Sequence, residues 1–279
     1  MAVTVAIVQA RLASSRLPGK VLMPIGSKTV LARCLARVRA VPGIDAVCVA
    51  TVAGADGERI AAEARACGAE VFAGSESDVL ARMAGAARML GADAVLRITS
   101  DCPFADPDLA GEVLALLESE RADLATNNLP ACFPYGVDCE AFTIDWLLRA
   151  QREARSDHER EHVTPFIRMH PHARRVSLAE RRIEPFAAML RWTVDLPEDL
   201  DFARAAQTLL DDAAGDTRYE SLTGLLRWRP DIVALNARWR DPSRLTASAA
   251  GFRNVMRSGA RGVAPSVRAR AAAQPFRRT

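Results

Sequence analysis

Val3-Thr4-Val5-Ala6-Ile7-Val8, followed by Gln9-Ala10-Arg11-Leu12-Ala13-Ser14-Ser15-Arg16-Leu17-Pro18-Gly19-Lys20, decides how this 279-residue chain is read. The apolar run reads as a buried strand. The segment after it lacks alternation and is broken by Pro18 and Gly19, so it is expected to be a loop leaving the strand's carboxyl end. In an open α/β sheet ligands bind at that edge. The loop carries Arg11, Arg16 and Lys20 with hydroxyls between them, and a glycine beside the lysine lets backbone approach a ligand closely. This is the chemistry of a polyphosphate cradle.

Three cations in a loop are also what a solvated surface offers, and composition separates the two readings. Of 37 basic residues only Lys20 and Lys28 are lysines, leaving 35 arginines. A chain so biased keeps lysine where a compact charge on a flexible stem matters, as at a phosphate. A Walker loop is excluded, because Ser14 stands where it needs glycine and Val21 where it needs Ser or Thr. No G-x-G-x-x-G follows the strand either.

Beyond the loop the chain alternates. Helices are predicted over residues 30–41, 57–67, 77–90 and 109–117, and strands over 44–52, 69–73 and 92–99. Strands alternating with helices across short connections specify a mostly parallel, doubly wound sheet. Asp101 directly follows the strand ending at Thr99, on the same rim as residues 10–20. That position suits a magnesium ligand, since Mg²⁺ is usually held by one or two carboxylates plus substrate phosphates. Asp195 closes a predicted final strand over 189–195 in the same way, each acid preceding a proline by two residues. Two carboxylates on one rim repel unless a cation lies between them or one keeps a proton. Either Asn variant is therefore expected to hold or gain stability without metal. Asp106-Pro107-Asp108 resembles a glycosyltransferase D-x-D, but Asp at an N-cap followed by Pro is ordinary helix-start chemistry. Residues 219–239 read as one or two packing helices.

The loop Ala10, Arg11, Ser14, Arg16, Leu17, Pro18, Gly19, Lys20 resembles the A-R-x-x-S-x-R-L-P-G-K signature of the cytidylyltransferases that make CMP-activated sugars. Val194-Asp195-Leu196-Pro197-Glu198-Asp199 is similar to their V-D-x-P-E-D, and Asp101 aligns with their G-D-x-P aspartate although Ser100 replaces the glycine. The chain looks closest to the spore-coat polysaccharide branch, and more distantly like the 3-deoxy-manno-octulosonate and acylneuraminate enzymes. The resemblance spans roughly residues 1–210. It implies a Rossmann-like nucleotide-diphospho-sugar transferase fold and transfer of CMP from CTP to a sugar or sugar acid. Arg11, Arg16 and Lys20 would act on the phosphates, with Mg²⁺ on Asp101 and Asp195. Ala10, Ser14, Ser75, Asp78 and Arg82 would complete the nucleotide site, the segment 74–82 lying near the base. An inserted arm at about 126–185 would build a homodimer contact and part of an acceptor pocket, with Asp138, Glu140 and His162 as candidates. His162, between charges, equally suits a surface or interface.

Composition bounds the rest. The chain is 49% hydrophobic and 25% charged, an ordinary soluble balance with no run of membrane-spanning length. No charged leader precedes the first strand, and six scattered cysteines without C-x-x-C pairs read as reduced thiols, so a cytoplasmic protein without zinc is expected. Residues 241–279 hold eight arginines against Asp241, a net +7, leaving 29 basic and 33 acidic residues, a net −4, in the body. A mildly acidic body does not suggest nucleic-acid binding. The expected division is a nucleotidyltransferase domain over 1–240 and a basic disordered tail over 241–279. Two rivals stay open: a glycosyltransferase that consumes a nucleotide sugar, and a non-catalytic nucleotide-binding scaffold.

Overall fold

The computed structural model describes residues 2–180, 184–213, 218–246 and 249–257. The chain begins with β1 (Thr4–Gln9), a small hairpin of β2 (Pro24–Ile25) and β3 (Lys28–Thr29), and α1 (Val30–Val38). It then alternates through β4 (Ala46–Val52), α2 (Ala55–Ala66), β5 (Glu70–Gly74), α3 (Val79–Met89), β6 (Ala94–Thr99), α4 (Pro107–Ser119) and β7 (Leu124–Thr126). After β8 (Glu140–Thr143) come α5 (Ile144–Glu153), α6 (Asp157–His162), α7 (Pro165–Met169), β9 (Arg175–Ala179) and α8 (Pro185–Ala188). The described chain ends with α9 (Pro197–Asp212), α10 (Tyr219–Leu226), α11 (Pro230–Ala234) and β10 (Phe252–Met256).

Among the described residues one sheet of eight strands runs in the order β10-β9-β7-β8-β6-β1-β4-β5. β1 pairs in parallel with β4 and β6, whereas β8 runs antiparallel between β6 and β7. Alternate residues of β1 feed opposite faces, as the period of a strand requires. Val5 and Ile7 pack in the cluster that holds Leu80 and Met83 of α3, and Ala6 and Val8 in the one that holds Leu31 and Leu35 of α1. Helices cover both faces, so the middle strands read as continuous apolar runs. Asp106 caps α4, accepting from Leu109 N at 2.9 Å, and Pro107 follows at the first helical position. Its other carboxylate oxygen accepts from Tyr219 N at 2.6 Å, so the acid of the D-x-D look-alike is spent on structure.

Three expectations need correction. Residues 189–195 do not form a strand of the sheet. Trp192 N donates to Tyr135 O at 2.6 Å and Val194 N to Asp101 O at 2.8 Å, so this extended segment is tied to two loops instead of a strand edge. The segment 126–185 interrupts the βα rhythm, yet its apolar strands stay in the sheet: β8 and β9 are buried there, and α5 to α7 are what it adds. Residues 242–246 and 249–257 are not a free tail. β10 extends the sheet beside β9, and Arg257 reaches Glu112 Oε1 at 2.8 Å, Glu180 Oε1 at 3.2 Å and Glu220 Oε1 at 2.6 Å. Few apolar residues were needed because a sheet edge supplies backbone partners and a partly buried arginine supplies charge pairing. The rest of the expected tail, 247–248 and 258–279, lies outside the described residues, as do 181–183 of the expected arm.

Candidate active site

The site sits where the loop after β1 meets the ends of β4 and β6. Leu12 and Leu17 are buried and pin the loop, and Gly19 N donates to Leu12 O at 3.0 Å. Gly19 has φ +72°, the left-handed region that favours glycine, and this turn delivers Lys20 inward. Ala10 is buried at the start of the loop, and Ser14 Oγ accepts from Leu17 N at 3.4 Å.

Lys20 is 9% exposed and lies between the two acids singled out by the sequence. Its Nζ donates to Asp101 Oδ2 at 2.8 Å and to Asp195 Oδ1 at 2.6 Å. Burial works to lower the Lys20 pKa, but the charges of Asp101 and Asp195 outweigh it and hold the ammonium above its usual value. Burial likewise works to raise Asp195, and Lys20, then Arg16 and Arg191, pull it below the usual aspartate range. The carboxylates thus converge, and the cation between them is a side chain of the protein.

Arg16 reaches Asp195 Oδ1 at 3.0 Å from the solvent side. Arg191, which sequence reasoning missed, donates to Asp195 Oδ2 at 3.0 Å and to both oxygens of Asp199 at 2.9 Å. A signal existed, because Arg191 is the one charge within residues 185–194 and a buried charge needs a partner. Asp199 caps its helix as expected, accepting from Asp195 N and Leu196 N, and it also fixes Arg191. Gly136 makes this packing possible: a Cβ there would come within 2.7 Å of Thr193 N.

Arg11 is half exposed and pairs with Glu161 at 3.3 Å. It borders an open cavity of about 280 Å³ lined also by Leu12, Val52, Asp56 and Glu76. The neighbouring turn is held from behind. Arg82 is buried and donates to the carbonyls of Ser75 and Glu76, Ser75 Oγ accepts from Asp78 N at 3.3 Å, and Asp78 caps α3 while pairing with Arg160 at 2.6 Å.

The three acceptor candidates differ in availability. Asp138 accepts from Arg244 at 2.9 Å. Glu140 is 4% exposed and held by Arg97 and Arg168, each at 2.6 Å. Burial would raise its pKa, yet the two guanidiniums pull it down to about 2, so it braces the sheet and presents no free carboxylate. His162 is exposed at the end of α6, its ring 4.5 Å from that of His158, and burial followed by that neighbour lowers its pKa.

A mostly parallel sheet whose rim gathers cations around paired carboxylates, beside an open cleft, fits a transferase that handles phosphorylated nucleotides. The chain belongs to the cytidylyltransferase family, whose sequence profile matches residues 5–218, and is a CTP-dependent nucleotidyltransferase. The spore coat polysaccharide biosynthesis protein SpsF of Bacillus subtilis is 33% identical over 232 residues, covering 81% of this chain and 95% of that protein. A cytidylyltransferase from Leptospira borgpetersenii superposes with a TM-score of 0.77 at 26% identity, over 84% of this chain and 97% of that one. CMP:2-keto-3-deoxy-manno-octonic acid synthetase in complex with CTP shares the fold, with a TM-score of 0.57 at 21% identity over 74% of this chain and 99% of that one. No helix among the described residues is long and apolar enough to cross a membrane. The described cysteines are free.

Proposed function

We propose that this enzyme transfers CMP from CTP to an oxygen of a sugar acid and releases pyrophosphate, for a surface polysaccharide or related glycan. The observation that carries the reading is the convergence of Arg16 and Lys20 on Asp101 and Asp195 at the rim beside the cleft bordered by Arg11. The CTP held by the octonic acid synthetase, and the name of the Bacillus subtilis relative, support the nucleotide and the destination.

CTP would lie with its base toward the cavity at Glu76 and residues 74–82, and its phosphates across the loop. The acceptor oxygen forms a bond to the α-phosphorus as the bond to the β-phosphate oxygen breaks, and pyrophosphate leaves. Arg11, Arg16 and Lys20 hold the triphosphate and offset the charge that develops on the leaving group, which is positioning and electrostatic catalysis. Arg191 and Asp199 keep Asp195 turned toward the site.

Two facing carboxylates are hard oxygen donors of the kind Mg²⁺ takes, with substrate phosphates supplying the remaining ligands. The described residues contain no group of three or more His, Cys, Asp or Glu that could hold a metal without substrate. Asp101 and Asp195 would therefore hold Mg²⁺ once Lys20 turns to the phosphates, and the ion would neutralise phosphate charge and acidify the acceptor hydroxyl. In this reading Asp138 is the acceptor-side carboxylate and His162 a rim residue. The face of α5 and α7 with the exposed Met169 and the half-buried Trp146 is where a second copy would pack.

Pyrophosphate release measured with each of the four nucleoside triphosphates, with and without Mg²⁺, against a panel of sugar acids tests the reading. CTP-selective, acceptor-dependent release supports it. CTP binding without turnover on any acceptor would return the scaffold alternative, and consumption of a nucleotide sugar with no pyrophosphate release from free CTP the glycosyltransferase one.

A further inference from the structure

The family profile stops at residue 218, but a side chain well beyond it stands at the site. Arg244, in the 3₁₀ turn Pro242–Thr246, donates from Nη2 to both carboxylate oxygens of Asp138 at 2.9 and 3.0 Å. Its guanidinium lies 4.3 Å from the centroid of the Tyr135 ring, and that of Arg191 lies 5.3 Å from the same ring. Arg191 bonds to Asp195, so one aromatic ring separates Arg244 from the arginine that fixes that central carboxylate. The turn is held on both sides. Ser243 N and Oγ donate to Asp241 Oδ1 at 2.9 and 2.6 Å, and downstream β10 and Arg257 lock the segment to the sheet.

The pair is packed but not sealed. The side chains of Arg244 and Asp138 keep 18% and 17% exposure, and among the described residues Nε and Nη1 of Arg244 make no hydrogen bond. An arginine edge with free donors, beside a carboxylate that accepts, is complementary to hydroxyl groups that both donate and accept. Such a pair beside an aromatic ring suits a polyhydroxylated ligand better than a second anion, which Asp138 would repel.

We propose that Arg244 and Asp138 together bind hydroxyl groups of the acceptor sugar, so that the segment beyond the family fold supplies an acceptor-recognition residue. This rests on the reading of the enzyme as a sugar cytidylyltransferase. A hydrogen bond to a charged group is worth roughly 10- to 100-fold. Arg244→Ala and Asp138→Asn should each raise the acceptor KM by about that factor with CTP KM unchanged within about twofold. The double variant should be no worse than the weaker single one, because both residues serve one ligand.

The measurement is steady-state pyrophosphate release, using whichever sugar acid of the panel the wild type turns over, with Arg257→Gln as the control that loosens the same segment away from the site. An unchanged acceptor KM in Arg244→Ala overturns the inference while leaving the enzyme reading intact. So does a rise in both KM values of Arg244→Ala that matches Arg257→Gln, since that would mean mere unfolding of the segment. A wild type that turns over no acceptor overturns the enzyme reading itself, and this inference with it.

Discussion

Lys20 Nζ lies 2.6 Å from Asp195 Oδ1 across 175 positions of sequence, and the same ammonium holds Asp101 at 2.8 Å. The lysine on the phosphate-binding loop therefore has a second role, keeping two acids together before any ligand arrives. Lys20→Ala is expected to lower kcat/KM by roughly 10² to 10³, the scale of losing one donor aimed at developing charge. Lys20→Arg should also be impaired, because a planar fork cannot occupy the same point between two carboxylates. Steady-state kinetics on both variants check this, and an alanine variant of near-normal efficiency would remove the loop from the mechanism.

The two acids should differ in what their loss costs. Asp195 accepts from Lys20, Arg16 and Arg191, whereas among the described residues Asp101 accepts a charged donor from Lys20 alone. Asp195→Asn strips three cations of one counter-charge, and breaking a buried pair costs about 3–5 kcal/mol. Thermal melting without added metal should show a clearly lower Tm for Asp195→Asn than for Asp101→Asn. The structure thereby reverses the expectation that removing either acid is harmless to the ligand-free fold. Turnover should fall in both, with the double variant losing less than the product of the single losses.

Glu140 makes stability depend on acid. Its folded pKa is held at about 2 against an ordinary 4.5, so the ionised form is favoured in the native state. That contribution is fully present above the unfolded value and is lost as pH falls from about 4.5 towards 2. Glu140→Gln should destabilise the protein at neutral pH by about 3 kcal/mol, because Arg97 and Arg168 stay without their shared anion. Denaturant titrations across this window should be flatter for the variant than for the wild type. Parallel slopes would mean that other carboxylates carry the acid sensitivity.

Truncation after Asp241 should not be silent. It removes β10 from the edge of the sheet and takes Arg257 from Glu112, Glu180 and Glu220, leaving three carboxylates to repel. A fall in Tm of roughly 5 °C or more is expected, since each kcal/mol is worth about 2–4 °C in a domain of this size. An unchanged melting curve would show that the segment adds nothing to the fold.

Asp106→Ala separates structural from catalytic carboxylates. The loss of the α4 cap costs about 1 kcal/mol, and the bond to Tyr219 N goes with it. Turnover per folded molecule should stay within about twofold, whereas a metal-binding D-x-D aspartate would abolish it.

The sequence by itself determined the alternation of β1 to α4, because buried parallel strands and amphipathic helices each impose a local period, and Pro107 and Gly19 punctuate where backbone geometry demands it. It also placed Arg11, Arg16, Lys20 and Asp101 on one rim, since the carboxyl ends of parallel strands share an edge, whereas Asp195 reaches that rim from a segment that is not a strand. What it could not give were contacts whose partners have no local pattern. The segment 189–195 looks like a strand because it is apolar, and only docking against residues 101 and 135 makes it a brace. Arg244, Phe252 and Arg257 lie in a stretch whose composition reads as a tail, since charge pairing and edge-strand hydrogen bonding leave no periodicity in the residues that use them. Lys20 as the cation between Asp101 and Asp195 was likewise invisible, because the distance between three charged atoms is set by how the sheet, the loop and the 189–195 segment pack together.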